Sequence, residues 1–168
     1  MEIFCLYGAD GKEKISLELK EVLGFPDEIN YEGGYGIVCA LQIEIGCYQI
    51  KCDRHISSTG VLYRFSDKLK ECYRNLAGSA EYRLMENDLS LVVIMLPYGH
   101  AVVRGRFQEY PDRGNVFKFE MGTDQTCLPA VFQGIDSLKD TYGGMNGVKE
   151  LKEKKSRRKW FHHRKTNK

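Results

Sequence analysis

The sequence has no apolar run long enough to cross a membrane. A transmembrane helix needs about 20 consecutive apolar residues, whereas the longest apolar run here, residues 89–96, has the length of a strand. The first eight residues carry no basic region ahead of their apolar positions, as a secretion signal would. We therefore expect a cytoplasmic protein with no integral membrane association.

Cysteine is present, but never with the C-x-x-C spacing of zinc and redox sites. A chain of this size without a secretion signal lies in a reducing compartment, so we expect free thiols rather than disulfides. Cys47, Cys52 and His55 are close enough in sequence to be considered as zinc ligands. Because Cys47 falls beside a hairpin turn and Cys52 on the next strand, buried apolar cysteines are the favoured interpretation. The sequence predicts no metal site and no cofactor.

Histidine is scarce, which restricts the possibilities for catalysis. Nucleophilic catalysis needs a Ser or Cys, a His base and an orienting carboxylate, but two of the four histidines lie in the last seven residues. His100 follows Gly99 in a predicted turn, where a histidine is usually only a polar turn residue. The common phosphate-binding, hydrolase and metalloprotease motifs do not occur. We therefore predict that the protein is not an enzyme.

Charge is divided unevenly along the chain. Residues 149–168 contain ten Lys or Arg and two Glu, whereas residues 1–148 contain fifteen basic and twenty-one acidic residues. The first part is therefore acidic, with a balance of −6, and the end is basic, with a balance of +8. We predict a single domain over residues 1–147 and a basic, disordered tail over residues 148–168. Aromatic and histidine residues at 160–163 leave open a phosphate-rich partner for the tail, such as RNA or an acidic membrane surface.

Alternating apolar and polar residues predict antiparallel sheet through most of the chain. The clearest region is 79–142, where four short runs are separated by turn signals and followed by a helix. The nearly continuous apolar run 89–96 indicates a central strand covered on both faces. The predicted strands cover residues 2–7, 15–19, a hairpin over 36–55 that turns at Gly46, and then 80–85, 89–96, 101–109 and 116–121. We expect an α+β fold, mainly antiparallel sheet of about eight strands in a meander or sandwich, with two helices.

Both helices are predicted from apolar spacing and terminal residues. Ser66 fits the N-cap of the first helix, Asp67 its positive end, and Gly78 its C-cap. Asp124 or Thr126 can cap the start of the second helix, and glycine at 143 ends it. The apolar positions are Phe65, Leu69, Cys72, Tyr73 and Leu76 in the first helix, and Leu128, Val131, Phe132, Ile135, Leu138 and Tyr142 in the second.

Residues 24–36, GFPDEINYEGGYG, are rich in glycine, acidic and aromatic residues and predict a loop. A solvated connection is the usual role of such a loop, and contact with a partner is the alternative. If the loop binds a partner, Asp27, Glu28 and Glu32 are the candidate partner-binding residues.

Two further features bear on function. Val103-Arg104-Gly105-Arg106-Phe107 has a superficial likeness to an RNA-binding strand, but the alternating arginines also fit a solvent-facing row. Several motifs, in their order and spacing, carry a more specific resemblance. They are Phe65-Ser66-Asp67-Lys68-Leu69, Leu76-Ala77-Gly78-Ser79-Ala80, Glu86-Asn87-Asp88-Leu89-Ser90-Leu91, Val103-Arg104-Gly105, Phe117-Lys118-Phe119-Glu120 and Thr123-Asp124-Gln125-Thr126-Cys127-Leu128, with Phe25-Pro26-Asp27 before them.

Together these motifs resemble the WapI-like immunity proteins of bacterial polymorphic toxin systems. The resemblance implies a non-enzymatic inhibitor that binds the C-terminal toxin domain, often a nuclease, of a contact-delivered surface protein. An acidic domain is compatible with a basic nuclease as its partner, although acidic domains are common without one. The residues leave one alternative open, an RNA-associated or regulatory protein that acts through the basic tail.

Overall fold

The computed structural model describes residues 1–85 and 88–149. They form two four-stranded antiparallel sheets and two helices, which confirms the predicted α+β fold with eight strands. No helix in these two ranges is long and apolar enough to span a membrane. The predicted basic tail lies outside the described residues, apart from its first two positions. The first sheet contains β1 (Glu2–Tyr7), β2 (Lys14–Leu23), β3 (Gly36–Ile45) and β4 (Tyr48–Ser58), and α1 (Thr59–Asn75) follows; the second contains β5 (Ser79–Arg83), β6 (Leu89–Met95), β7 (His100–Phe107) and β8 (Phe117–Asp124), and α2 (Leu128–Tyr142) follows.

Each sheet is a meander, because each strand pairs with the next one along the chain. Alternate residues of β6, and of β3 from Cys39 onward, are buried, as the period of two in the sequence predicts. The other face of β6 is half-buried, so the predicted coverage of both faces is only partial. Buried side chains from both sheets and both helices form one continuous core. The sheets also meet at β1 and β8, where Ala9 N–H donates to Gly122 O at 2.9 Å and Thr123 Oγ1 donates to Tyr7 O at 2.7 Å.

The second helix begins and ends where the sequence predicts. Asp124 caps a short 3₁₀ turn that leads into α2 and accepts a hydrogen bond from Thr126 N–H at 2.8 Å. Hydrogen bonds from Thr126 also hold the pKa of the Asp124 carboxyl below its usual value. Gly143 ends the helix with φ +85°. The helix packs on β1 so closely that a Cβ at Gly134 would overlap the carbonyl oxygen of Ile3.

The prediction that α1 starts at Ser66 is wrong. The helix starts about two turns earlier, at Thr59, and Ser58 is its N-cap, accepting a hydrogen bond from Val61 N–H at 3.1 Å. Ser66 is buried in the middle of the helix, so its neighbour Asp67 is not at the positive end either. The sequence does not reveal this earlier start, because it contains Gly60 and glycine is unfavourable inside a helix. Here the first turn of α1 needs it, since a Cβ would lie 2.5 Å from the carbonyl oxygen of Glu32.

The end of α1 also differs from the prediction. Leu76, not Gly78, takes the left-handed conformation that terminates the helix, with φ +50°. Gly78 has φ +91° in the turn that leads to β5. The apolar positions of the helix are correctly predicted at Phe65, Leu69 and Cys72, which are buried. Leu76 is exposed because the helix has already ended there.

Candidate functional site

The connection between β2 and β3 contains Asp27, Glu28 and Glu32, and we call residues 24–35 the acidic loop. Its backbone is ordered by its own hydrogen bonds. The N–H groups of Asp27 and Glu28 donate to Gly24 O at 2.9 and 2.7 Å. The Asn30 side chain accepts a hydrogen bond from Glu32 N–H at 2.9 Å. The backbone carbonyl of Asn30 accepts one from Gly33 N–H, also at 2.9 Å. Two successive turns therefore present the acidic residues in fixed positions.

The first turn of α1 holds one end of the acidic loop. Tyr35 N–H donates to Thr59 Oγ1 at 3.0 Å, and Gly60 N–H donates to Gly33 O at 3.1 Å. One N–H of the Arg64 guanidinium donates to the carbonyl oxygen of Glu32 at 2.6 Å. Since Thr59, Gly60 and Arg64 all belong to the first part of α1, these hydrogen bonds fix the loop to the helix.

A second anchor comes from the segment after α2. The Tyr35 hydroxyl donates to Pro26 O at 2.9 Å and accepts from Val148 N–H at 3.1 Å, and Gly34 N–H donates to Met145 O at 2.7 Å. The ring of Phe25 lies edge-on to the rings of Tyr35 and Tyr142, with both pairs of centroids 5.3 Å apart. The loop is therefore anchored at both ends, whereas the sequence predicts a solvated connection as its usual role.

The three candidate partner-binding residues lie together on this anchored loop. Asp27 and Glu28 are exposed, and Glu32 is half-buried. Their carboxylates make no ion pair with any residue in the described part of the chain. The neighbouring cation, Arg64, is bonded to a backbone oxygen and not to a carboxylate. The arrangement leaves an excess of negative charge on a rigid surface.

An open cavity of about 120 Å³ lies beside the acidic loop, and we call it the cleft. Three elements form it: the acidic loop, the end of β4 and the turn after β5. Three large side chains on its lining are exposed to solvent, Tyr31 and Met85 each to 76% and Ile56 to 47%. Its other lining residues are Asn30, Glu32, Ser57 and Leu84.

A buried chain of polar side chains lies behind the cleft. His55 is 1% exposed; its Nδ1 lies 3.1 Å from Asp88 Oδ2 and its Nε2 lies 3.1 Å from the Tyr82 hydroxyl. The Tyr82 hydroxyl lies 2.7 Å from Ser57 Oγ. Burial raises the pKa of the Tyr82 phenol, so this group stays protonated.

A β-bulge in β4 turns His55 towards the core. Cys52 pairs with Leu41 and His55 pairs with Cys39, so two residues of β4 oppose one residue of β3. The alternation of β4 changes phase at this point: Cys52 is buried before the bulge, and His55 and Ser57 are buried after it. The sequence analysis missed this chain because a change of phase cannot be seen in a regular alternating pattern.

Residues 5–143 match the Immunity protein WapI-like family. The chain belongs to this family. The match covers most of both sheets and both helices, and it confirms the resemblance that the sequence motifs indicate. No curated protein matches the sequence. Among solved structures, the chain is similar to the CdiA-CT/CdiI toxin and immunity complex from Enterobacter cloacae, with 14% identity over 72% of this chain and 97% of that chain. The TM-score is 0.42.

The polar chain of this WapI-like protein does not form a nucleophilic site. A nucleophilic serine needs its histidine base within direct hydrogen-bonding reach. His55 reaches Ser57 only through the Tyr82 hydroxyl, and Ser57 is 4% exposed. The other histidine in the folded region, His100, is exposed at the start of β7. These contacts give the chain of polar groups a structural role.

The remaining sequence candidates are dispersed over the fold. Cys47 is exposed at the β3–β4 turn, Cys52 is buried, and both ring nitrogens of His55 are engaged. Among residues 1–85 and 88–149, no three His, Cys, Asp or Glu side chains cluster in a way that could hold a metal ion. Arg104, from the strand with an RNA-binding likeness, pairs with Glu120 across the exposed face of β7 and β8 at 2.8 Å. That pair fits the alternative interpretation, a solvent-facing row.

Proposed function

We propose that this WapI-like immunity protein is non-enzymatic and neutralises the cognate C-terminal toxin domain of a contact-dependent polymorphic toxin by binding it. We further propose that binding takes place in the cytoplasm and uses Asp27, Glu28 and Glu32. Membership of an immunity family supports a toxin domain as the partner. The observation that carries the choice of surface is the anchored acidic loop, which presents three carboxylates without ion-pair partners among the described residues.

Charge supports a nuclease as the toxin. A nuclease binds a phosphate-rich substrate and therefore needs a basic surface around its active site. Residues 1–148 carry six more acidic than basic residues. Opposite charges on two surfaces accelerate their association and disfavour wrong partners. An acidic inhibitor is thus matched to a nuclease surface that it has to cover.

The test uses the toxin domain encoded immediately upstream of the gene. We expect co-expression of the intact chain to restore growth and to give a stable complex. The triple variant Asp27→Asn, Glu28→Gln and Glu32→Gln keeps the side-chain shapes and removes three charges. At about 0.5–1 kcal/mol for each of the two exposed carboxylates and about 1.5–3 kcal/mol for the half-buried Glu32, affinity should fall at least roughly 60-fold.

A matched control removes the same number of charges elsewhere. Glu2, Asp67 and Asp112 are exposed on β1, α1 and the β7–β8 connection, and their replacement by Gln, Asn and Asn changes the net charge equally. This control should bind within about threefold of the intact chain, since only general steering is altered. Equal losses in both triple variants would show that net charge, and not the acidic loop, determines binding.

Deleting residues 149–168 in the same assay separates this proposal from its alternative. Residues 1–147 are proposed to be a complete domain that contains the whole toxin-binding surface, so rescue of growth should survive the deletion. An RNA-associated or regulatory protein that acts through its ten Lys and Arg residues at 149–168 would lose its binding instead.

A further inference from the structure

We propose that the cleft receives one arginine side chain of the partner protein. The guanidinium binds the carboxylate of Glu32 and stacks on the ring of Tyr31. This inference rests on the proposed function and names the contact within it. The cleft lies at the border between the acidic loop and a group of exposed apolar side chains. Neither feature alone would identify the occupant, but the combination does.

The size of the cleft excludes the usual small-molecule ligand. Ligand pockets measure about 300–1,000 Å³, whereas this cavity measures about 120 Å³ and is open to solvent. It has room for the end of one side chain. A bound metal cation is also disfavoured, because Ca²⁺ and Mg²⁺ need several oxygen ligands and Glu32 supplies the one carboxylate among the described residues of the lining.

The exposed rim favours a side chain with an apolar stem. Tyr31, Ile56 and Met85 leave large apolar surfaces in solvent side by side, and a contiguous apolar patch on a folded protein commonly marks an interaction site. Arginine and lysine carry three or four methylene groups that bury against such surfaces while the charged end stays polar. The rim therefore fits the stem of a long cationic side chain.

The charge of Glu32 excludes a purely apolar occupant. Its side chain is half-buried in the wall and has no ion-pair partner among the described residues, while Arg64 donates to its carbonyl oxygen. An apolar side chain would remove water from this carboxylate without replacing the lost hydrogen bonds, which is costly. A cation restores them and gains from Asp27 and Glu28 on the same loop.

Tyr31 favours arginine over lysine. The tyrosine side chain is 76% exposed, so a partner can reach its ring. A guanidinium is flat, stacks on aromatic rings and binds a carboxylate through two parallel N–H groups, whereas an ammonium is a compact point charge. Glu32 and Tyr31, which are adjacent in sequence and line the same cavity, fit the two binding modes of one guanidinium.

The experiment measures the dissociation constant between the full chain and the toxin domain encoded immediately upstream, by isothermal titration calorimetry. We expect Glu32→Gln and Tyr31→Ala each to weaken binding at least tenfold, and Tyr31→Phe to bind almost as the intact chain does because it keeps the ring. Tyr98→Ala is the matched control, since Tyr98 is 98% exposed in the β6–β7 turn. It should stay within twofold.

A double-mutant cycle then identifies the partner group. Each arginine and lysine of the toxin domain is replaced by alanine and combined with Glu32→Gln. For one arginine we expect at least tenfold non-additivity, so that Glu32→Gln costs almost nothing once that arginine is gone. Thermal unfolding of every variant should be unchanged, because the altered side-chain groups contact solvent.

Three results would overturn the inference, and they differ in what else they affect. If the intact chain forms the complex but Glu32→Gln and Tyr31→Ala bind within twofold, the cleft is not used and the proposed function stands. If they weaken binding but couple to no single arginine, the cleft holds another group. If the intact chain does not bind the toxin domain, the proposed function fails and this inference fails with it.

Discussion

Replacing Gly60 by alanine should loosen the acidic loop from α1. A Cβ at this position would lie 2.5 Å from the carbonyl oxygen of Glu32 and closer still to that of Gly33. Both obstacles are backbone atoms, so the loop must retreat by about 1 Å to restore ordinary van der Waals separations. The 3.1 Å hydrogen bond from Gly60 N–H to Gly33 O would then be broken.

The magnitude follows from the contacts that depend on this approach. Besides that bond, the loop is held by Tyr35 N–H to Thr59 Oγ1 and by Arg64 to Glu32 O. Losing two or three such bonds costs about 1–4 kcal/mol. The change from glycine to alanine inside a helix returns about 1 kcal/mol. We therefore expect Gly60→Ala to lower the free energy of unfolding by up to about 3 kcal/mol.

Urea unfolding followed by circular dichroism measures this free energy. Gly122→Ala in β8 is the control, because a Cβ there meets nothing within 4 Å, and it should change stability by no more than about 0.5 kcal/mol. Gly60→Ala should also weaken toxin binding, since the carboxylates move with the loop. A Gly60→Ala protein at least as stable as the intact chain would refute the argument that the loop is clamped to the helix.

Two further predictions concern buried and capping polar groups. His55→Ala removes the partner of both Asp88 and the buried Tyr82 hydroxyl, and should cost about 3–5 kcal/mol in urea unfolding; a loss below about 1 kcal/mol would contradict the buried network. Asp124→Ala removes the cap on Thr126 N–H and should cost about 0.5–2 kcal/mol at pH 7. Because the folded protein lowers the pKa of Asp124, its contribution is complete above the ordinary carboxyl pKa and is lost as pH falls through the lowered one. The difference between the two proteins should therefore close in acid, and a constant difference down to pH 2 would argue against an ionised cap.

The fold was predictable wherever one face of an element is buried throughout. Strand alternation placed all eight strands, because a period of two needs only the residue types along one strand. The bounds of α2 were found from its apolar stripe and from Gly143 at its end. The start of α1 was not found, because Gly60 is required by a loop 27 residues earlier in the chain and not by the helix itself.

The candidate site was predictable only in its composition. The three acidic residues could be read directly from the sequence, and the structure places them on one loop. The anchors of that loop could not be predicted, since the Tyr35 hydroxyl accepts a hydrogen bond from Val148 N–H, 113 residues away. The cleft likewise joins Tyr31 to Met85 across two elements, and the inward turn of His55 depends on a bulge. Contacts of this kind have no signal in local spacing.

The double anchoring of the acidic loop has a consequence for the thermodynamics of recognition. Fixing the backbone of a free residue costs about 1–2 kcal/mol of conformational entropy, so a loose twelve-residue loop would lose much of its interaction energy on becoming ordered at a partner's surface. In this protein that ordering is completed during folding, by the bonds of Tyr35 at the hydroxyl and at the backbone. Under the proposed function, affinity then arises from contacts on a preorganised surface, and the buried Tyr35 determines how well that surface is preorganised.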